Sequence, residues 1–363
     1  MAFDDWQGRT VYDVLATSRS STVLDSSGAA NQLARLGDWL RVASPAAFAR
    51  ANRTSVLRTM HEIDLLALIV ADGEVWRLTA SHGPPQLARV ASLAELQDPL
   101  EAFRTQPTHG KVAAGLGALL VPEEAFLRRE TLHVVLDWKL GSLPLAALRH
   151  GGVPLIAVRP IVHALRLPEV RCVRAQPPGH ATVIGVSGPR IPNAVVEADE
   201  VAALLHTSSV TGANATKEAL FAAANDAVLH VAAHAELVLD GAGLVLGDGE
   251  VSALEISARR VGPALAVLSA CHAAVSDDGE LGGSLVAAFL GSGSQHVVAT
   301  LRPVSDAGVP HITTQFYREG GVADPVRALA TVQAKLAMTD NADWPYFAVF
   351  GSAVCQGGTL DRE

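Results

Sequence analysis

Two patterns of hydrophobic positions divide the chain. Residues 1–60 have helical periodicity, in which Leu33, Leu36, Trp39 and Leu40 form one apolar stripe. From Leu65 onward, short apolar runs alternate with turn signals. The first of them, LLALIVADGEVWRLTA, predicts two strands around an Asp-Gly turn. We therefore predict a short helical or mixed N-terminal segment at 1–60, followed by a domain that contains both strands and helices.

The part of the chain beyond residue 130 alternates strand and helix patterns. Nearly continuous apolar runs are typical of strands covered on both faces, and they occur at 132–136, 154–158, 181–187, 227–233, 264–269, 296–300 and 346–351. Amphipathic runs predict helices at NAVVEADEVAALLH, KEALFAAA, SLVAAFLG and DPVRALATVQAKLA, and earlier at SLAELQDPLEAFR and 112–120. This alternation predicts an α/β fold with a mostly parallel central sheet and helices on both faces. Ligands of such sheets bind beyond the carboxyl ends of the strands.

Composition excludes several classes of protein. Hydrophobic residues make up 49% and charged residues 18% of the 363 residues, which is typical of a packed globular chain. The net charge of -9 argues against nucleic acid and anionic membranes as partners. No apolar stretch reaches the roughly 18 residues that a membrane span needs, and the acidic N-terminus does not fit a secretory signal. Cysteines at 172, 271 and 355 form no disulfide or zinc pattern, so we expect a reducing, cytoplasmic location.

Two predicted strands end in side chains that can carry out thiol chemistry. His234 follows the run AVLHVAA, and Cys271 follows ALAVLSA. Neighbouring parallel strands lie about 5 Å apart, so adjacent strands would bring the imidazole and the thiol together. Such a pair is the minimal device for nucleophilic catalysis by cysteine, because the imidazole favours the thiolate and later protonates the leaving group. Taken singly, each residue also fits a structural role, since free cysteine is among the most buried residue types.

Other polar residues near these strands have more than one interpretation. His230 and His234 have the H-x3-H spacing that suits zinc on a helix, but on a strand they lie about 13 Å apart. We therefore predict neither a metal nor a cofactor. Asp306 follows another predicted strand, where its carboxylate would either bind a basic substrate side chain or cap a helix.

Several segments, taken in order, resemble the CHAT domain, a bacterial branch of the caspase-like cysteine peptidases related to separase. They are LHVVLDWKLGSLPLAAL, IPNAVVEADEVAALL, AVLHVAAH, LAVLSACHAA and GELGGSLVAAFLGSGSQHVVATLRPVSD. The resemblance implies a caspase-like domain at 61–354, with an N-terminal pseudo-caspase-like half (61–175), a catalytic half (176–354) and a tail (355–363).

The resemblance also implies roles for particular residues. His234 and Cys271 match the catalytic pair, and the backbone N–H groups of Ala235 and Cys271 match the oxyanion hole. Asp306 matches a position that lines the substrate pocket in separase-like relatives. The family usually has glycine at the position of Ala235, and alanine would be strained there if the site needs a positive φ.

The leading hypothesis is a cytoplasmic cysteine endopeptidase that cleaves selected protein substrates. Cleavage after Arg or Lys is expected if Asp306 binds substrate. A separate regulatory or sensor protein would supply the trigger, because the helical repeats that often precede this domain are absent. The alternative is a weakly active or inactive module that uses the same groove to hold a protein partner.

Overall fold

The computed structural model describes eight stretches of the chain, namely residues 63–81, 85–140, 142–165, 172–173, 179–238, 241–270, 284–351 and 353–354. The segment 1–60, Cys271 and the tail 355–363 lie outside these stretches. The described residues divide into two compact units. The first comprises those within Met1–Arg159 and His163–Arg171, and the second those within Pro160–Val162 and Cys172–Glu363.

The first unit contains a sheet with the strand order β3-β2-β1-β4, in which β1 is antiparallel to β2 and parallel to β4. Its elements are β1 (Asp64–Ala71), β2 (Glu74–Ser81), β3 (Gln86–Ser92), α1 (Leu93–Thr105), α2 (Gly110–Leu120), α3 (Glu123–Leu127), β4 (Leu132–Leu136), β5 (Arg149–His150), β6 (Val153–Pro154) and α4 (Leu155–Val158). Strand β7 (Ile161–His163) lies where the chain passes from the first unit to the second.

The Asp-Gly hairpin is present, whereas the strand predicted at 154–158 is wrong. Asp72 and Gly73 both have positive φ, 52° and 75°, as a type I′ turn requires. In the segment predicted as a strand at 154–158, β6 ends at Pro154. The chain then continues as the one-turn helix α4, of which Pro154 is the N-cap. Proline has no N–H to donate to a strand ladder, and its fixed φ suits a helix start.

The second unit contains a sheet with the order β10-β9-β11-β15-β16-β17, in which only β17 is antiparallel to its neighbour. Its elements are β8 (Cys172–Val173), β9 (Ala181–Gly185), α5 (Ala194–Leu204), β10 (Ser209–Thr211), α6 (Lys217–Ala222), β11 (Val228–Ala232), β12 (His234–Val238), β13 (Gly241–Leu246), β14 (Gly249–Ser252), α7 (Ala253–Arg259), β15 (Leu265–Ser269), α8 (Leu285–Ser292), β16 (His296–Thr300), α9 (Val309–Arg318), α10 (Pro325–Leu336), β17 (Phe347–Gly351) and β18 (Ala353–Val354). The predicted α/β fold with a mostly parallel sheet is confirmed.

The helices of the second unit cover both faces of its sheet. From β9 the chain moves outward to β10 through α5, whereas it moves in the opposite direction from β11 to β15 and β16 through α7 and α8. Right-handed crossovers in opposite directions place these helices on opposite faces. Strands β11 and β16 are therefore buried along their whole length, which accounts for their continuous apolar runs.

Candidate functional site

The strand order predicts a crevice at the carboxyl edge between β9 and β11. These strands are neighbours, but the chain leaves β9 toward β10 on one side and leaves β11 toward β15 on the other. Such a change of direction separates the two loops and opens the usual ligand site of a parallel sheet. The N-terminus of α5 and His234 are the groups that follow these two strands.

His234 lies two residues beyond the end of β11 and begins β12. Residues 234–238 pair with β13 in a separate three-stranded sheet. The His234 side chain is 22% exposed, and its Nε2 lies 3.3 Å from Oε1 of Glu236. The same carboxylate oxygen accepts a hydrogen bond from the exposed Arg190 at 3.4 Å. The other ring nitrogen, Nδ1, is buried and has no hydrogen-bond partner among the described residues.

The register between β11 and β15 relates His234 to the chain that leads to Cys271. The two parallel strands pair from Val228 opposite Leu265 to Ala232 opposite Ser269. In each pair, the two opposed residues are as far apart along the chain as His234 and Cys271 are. Cys271 is itself outside the described residues, which reach Ala270 at this point.

Ala235 has ordinary strand backbone. It pairs with Leu244 of β13 and is 7% exposed, and it is not among the described residues with positive φ. Alanine therefore causes no left-handed strain where the family usually has glycine.

Asp306 contacts the N-terminus of α5. Its Oδ2 accepts hydrogen bonds from the backbone N and the side-chain Nδ2 of Asn193, at 3.2 and 2.6 Å. Asp306 does not cap the helix that follows it, because Gly308 is the N-cap of α9 and makes no side-chain cap bond. The connection from β16 to α9 therefore reaches across the carboxyl edge of the sheet to the start of α5.

A buried polar cluster that was not predicted from the sequence lies directly beneath this edge. Glu197 of α5 and His230 of β11 are 3% and 0% exposed, and Glu197 Oε1 lies 3.3 Å from His230 Nε2. Ser269, the last residue of β15, donates a hydrogen bond to the same Oε1 at 2.5 Å. Tyr317 of α9 contacts His230 Nδ1 through its hydroxyl at 3.3 Å. One signal was available, since Glu197 interrupts the buried helix face formed by Ala194, Ala198 and Val201.

The described stretches offer neither a site for a metal ion nor a membrane span. In the described stretches, no group of three or more His, Cys, Asp or Glu side chains could hold a metal ion. None of the helices in those stretches is long and apolar enough to span a bilayer.

Comparison with solved structures defines the class of fold. Two crystal structures of the Saccharomyces cerevisiae separase–securin complex match with TM-scores of 0.59 and 0.60. The matches cover 95% and 96% of this chain at 9% identity, but only 33% of the separase chain in each case. The chain therefore has the caspase-like fold of separase over about a third of the length of that protein.

Comparison with sequence families identifies the family. The CHAT domain model matches residues 111–353, which is more than half of the chain. The chain therefore belongs to the CHAT domain family. A search of curated proteins found no match.

Proposed function

We propose that the protein is a cysteine endopeptidase in which Cys271 is the nucleophile and His234 its base. The observation that carries this proposal is the buried Nδ1 of His234, which has no hydrogen-bond partner among the described residues. Strand β11, which precedes His234, is paired with β15, which precedes Cys271. A buried ring nitrogen without a partner is unfavourable unless another group completes its hydrogen bonding. The shared register of β11 and β15 makes the Cys271 thiol the best candidate for that group. Membership of a family with a peptidase-related fold supports the same reaction.

The reaction would be acyl transfer through a thioester. The Cys271 thiolate attacks the scissile carbonyl, and the negative charge that develops on oxygen is stabilised by the backbone N–H groups of Ala235 and Cys271. The protonated His234 then gives its proton to the leaving amine as the C–N bond breaks. A water molecule attacks the thioester, His234 takes up its proton, and the acid product leaves as the thiolate re-forms.

We further propose that the substrate is a protein with a basic side chain before the cleaved bond. Both contacts that Asn193 makes with Asp306 use Oδ2, so Oδ1 is the oxygen that would accept from Arg or Lys. Because the similar separase chains are in complexes with securin, we also propose that a partner protein controls this chain. We place the reaction in the reducing cytoplasm, where a free thiol persists.

New protein N-termini test this function directly. Lysate treated with the wild-type protein should contain cleavage products that are absent after treatment with Cys271→Ala or His234→Ala. Cys355→Ala and His272→Ala are the matched controls, and both should still cut. If Cys271→Ala and His234→Ala still produce the same N-termini, the proposed peptidase is refuted.

The alternative is a binding module that keeps the groove without cleavage. It rests on Ala235, where the family usually has glycine, although the strand backbone of this residue removes the argument from strain. If the protein is such a module, Cys271→Ala should retain full partner binding and biological activity. It also predicts that iodoacetamide does not modify Cys271 unusually fast at about pH 6.5, well below the ordinary thiol pKa of about 8.5.

A further inference from the structure

We propose that Glu197 and Thr300 are positioning residues that hold the last two residues before Cys271 and thereby set the direction of the thiol. The inference rests on the proposed function, because it assigns these residues a task in the same site. Its basis is a change in how the backbone of β15 is held as the strand approaches Cys271.

The regular strand pairing of β15 ends just before the nucleophile. On one side the β15–β16 register ends at Leu268 opposite Ala299, and on the other the β11–β15 register ends at Ser269 opposite Ala232. Ladder hydrogen bonds therefore no longer fix Ala270 from either neighbouring strand. At Ala270 the side-chain hydroxyl of Thr300 takes the place of the ladder. At Ser269 a side-chain hydrogen bond is added to the ladder.

Thr300 provides the first replacement. Its Oγ1 donates a hydrogen bond to the carbonyl oxygen of Ala270 at 2.8 Å, and the bond is buried. Thr300 is the last residue of β16 and is 0% exposed. A buried carbonyl without a partner costs about 1–3 kcal/mol, so this hydroxyl stabilises one orientation of the peptide unit that joins Ala270 to Cys271.

Glu197 provides a second contact through Ser269, which is still paired with Ala232 in the ladder. The Ser269 hydroxyl donates to Glu197 Oε1 at 2.5 Å, and a hydrogen bond to a carboxylate is stronger than one between neutral groups. His230 Nε2 lies 3.3 Å from the same oxygen but outside hydrogen-bond geometry, so Ser269 is the described residue that hydrogen-bonds to Glu197 Oε1. Ser269 is thus tied to a helix, α5, as well as to the sheet.

Tyr317 contacts the ring nitrogen of His230 that does not face Glu197. Burial, and then the negative charge of Glu197, raise the pKa of Tyr317 well above its usual value, so the phenol stays protonated. Its hydroxyl can therefore donate to His230 Nδ1 at 3.3 Å. The other ring nitrogen, Nε2, is buried close to Glu197 without making a hydrogen bond.

Stability alone does not account for this cluster. Replacing both partners of a buried hydrogen bond by apolar groups of the same shape can be nearly neutral or stabilising. The cluster does, however, connect α5, β11 and α9 to the residue that ends β15, two positions before Cys271. A positioning role predicts that loss of the hydroxyl groups of Ser269 and Thr300 changes the reactivity of Cys271, whereas a purely structural role predicts a change in stability alone.

The test compares substitutions that separate the hydroxyl from the bulk of the side chain. Thr300→Val keeps the shape and removes the donor, whereas Thr300→Ser keeps the donor and removes a methyl group. Ser269→Ala and Ser269→Thr form the matching pair on β15. In the full-length protein, the rate of iodoacetamide modification of the Cys271 peptide is measured by mass spectrometry at about pH 6.5, below the ordinary thiol pKa. The thermal unfolding midpoint of each variant is measured in parallel.

We expect Thr300→Val and Ser269→Ala to slow the modification of Cys271 about tenfold each, the loss that corresponds to one hydrogen bond to a buried group. Thr300→Ser and Ser269→Thr should stay within about twofold of the wild type. Glu197→Leu should slow the modification of Cys271 as much as Ser269→Ala does. The double variant Glu197→Leu with Ser269→Ala should be no slower than either single variant, because both substitutions remove the same hydrogen bond.

Modification of Thr300→Val at the wild-type rate, or of Thr300→Ser as slowly as Thr300→Val, overturns the positioning role. This result is independent of the proposed function, which is decided by whether Cys271→Ala still cuts. A loss of cleavage in Cys271→Ala together with an unchanged modification rate in Thr300→Val would retain the peptidase and remove only this inference.

Discussion

The packing of α5 against β9 can be perturbed at one glycine. Gly185 is the last residue of β9. A Cβ atom at this position would lie 2.5 Å from the Cβ of Ala198 and 3.1 Å from the carbonyl oxygen of Ala194. Carbon atoms in contact prefer about 3.5–4.0 Å. Gly185→Ala therefore has to move α5, which carries Glu197, by roughly 1 Å away from the strand.

The expected effect is a moderate loss of stability. Overpacking of this kind costs about 1–3 kcal/mol. The reduced freedom of alanine in the unfolded chain offsets about 0.4–1 kcal/mol of it. Gly185 is not among the described residues with positive φ, so no backbone strain is added. We expect Gly185→Ala to lower the free energy of unfolding by about 1–2 kcal/mol. It should also slow iodoacetamide modification of Cys271, because Glu197 moves with the helix.

Urea unfolding with a compensating substitution tests this reasoning. Ala198→Gly removes the closest clashing atom and by itself costs about 1 kcal/mol in helix propensity. In the double variant, the loss of unfolding free energy caused by Gly185→Ala should be smaller when Ala198→Gly is also present. We expect an interaction energy between the two substitutions of about 1 kcal/mol. Recovery should be partial, since the contact with the Ala194 carbonyl remains. If the two single losses simply add in the double variant, the proposed clash with Ala198 is wrong.

Two further predictions concern the first unit. Burial lowers the pKa of His163 from 6.5 to about 4. Its contribution to stability should therefore be complete above about pH 6.5 and be lost as the pH falls to about 4, by about 3 kcal/mol at most. His163→Gln should remove this part of the pH dependence of urea unfolding, and an unchanged slope would contradict the prediction. Burial acts to raise the pKa of Asp64, but hydrogen bonds from Ser81 and Arg159 outweigh it and lower the pKa. Asp64→Asn leaves the buried Arg159 guanidinium without its charge partner, so unfolding should become easier by about 3–5 kcal/mol. A loss below about 1 kcal/mol, as for a surface ion pair, would refute this estimate.

The elements that could be predicted are those whose burial leaves a pattern in the sequence. Strands β11, β15 and β16 are covered on both faces and therefore consist of apolar runs. The same pattern failed at 154–158, because a short buried helix and a buried strand are equally apolar. Helix α9 was missed, since its N-cap is a glycine without a side-chain bond. The small sheet that starts at His234 was also missed.

The candidate site could be predicted only in part, for a similar reason. The position of His234 just beyond an apolar run is visible in the sequence, and the structure places it two residues beyond the carboxyl end of β11, which is paired with β15. The partner of Asp306 was not predictable, because Asn193 is more than a hundred residues away along the chain. For the same reason, nothing near Glu197 in the sequence indicates that it meets Ser269.

By itself, the sequence determined the alternation of strands and helices, the family resemblance and the two residues proposed for thiol chemistry. Local patterns carry this information because burial and periodicity act between residues that are close along the chain. Only the tertiary structure decided the register of β11 against β15, the strand conformation of Ala235 and the buried cluster around Glu197. These depend on how distant segments pack, which no local pattern encodes. The hydrogen bond from Thr300 to Ala270 belongs to this second kind, and it acts on the residue that directly precedes Cys271.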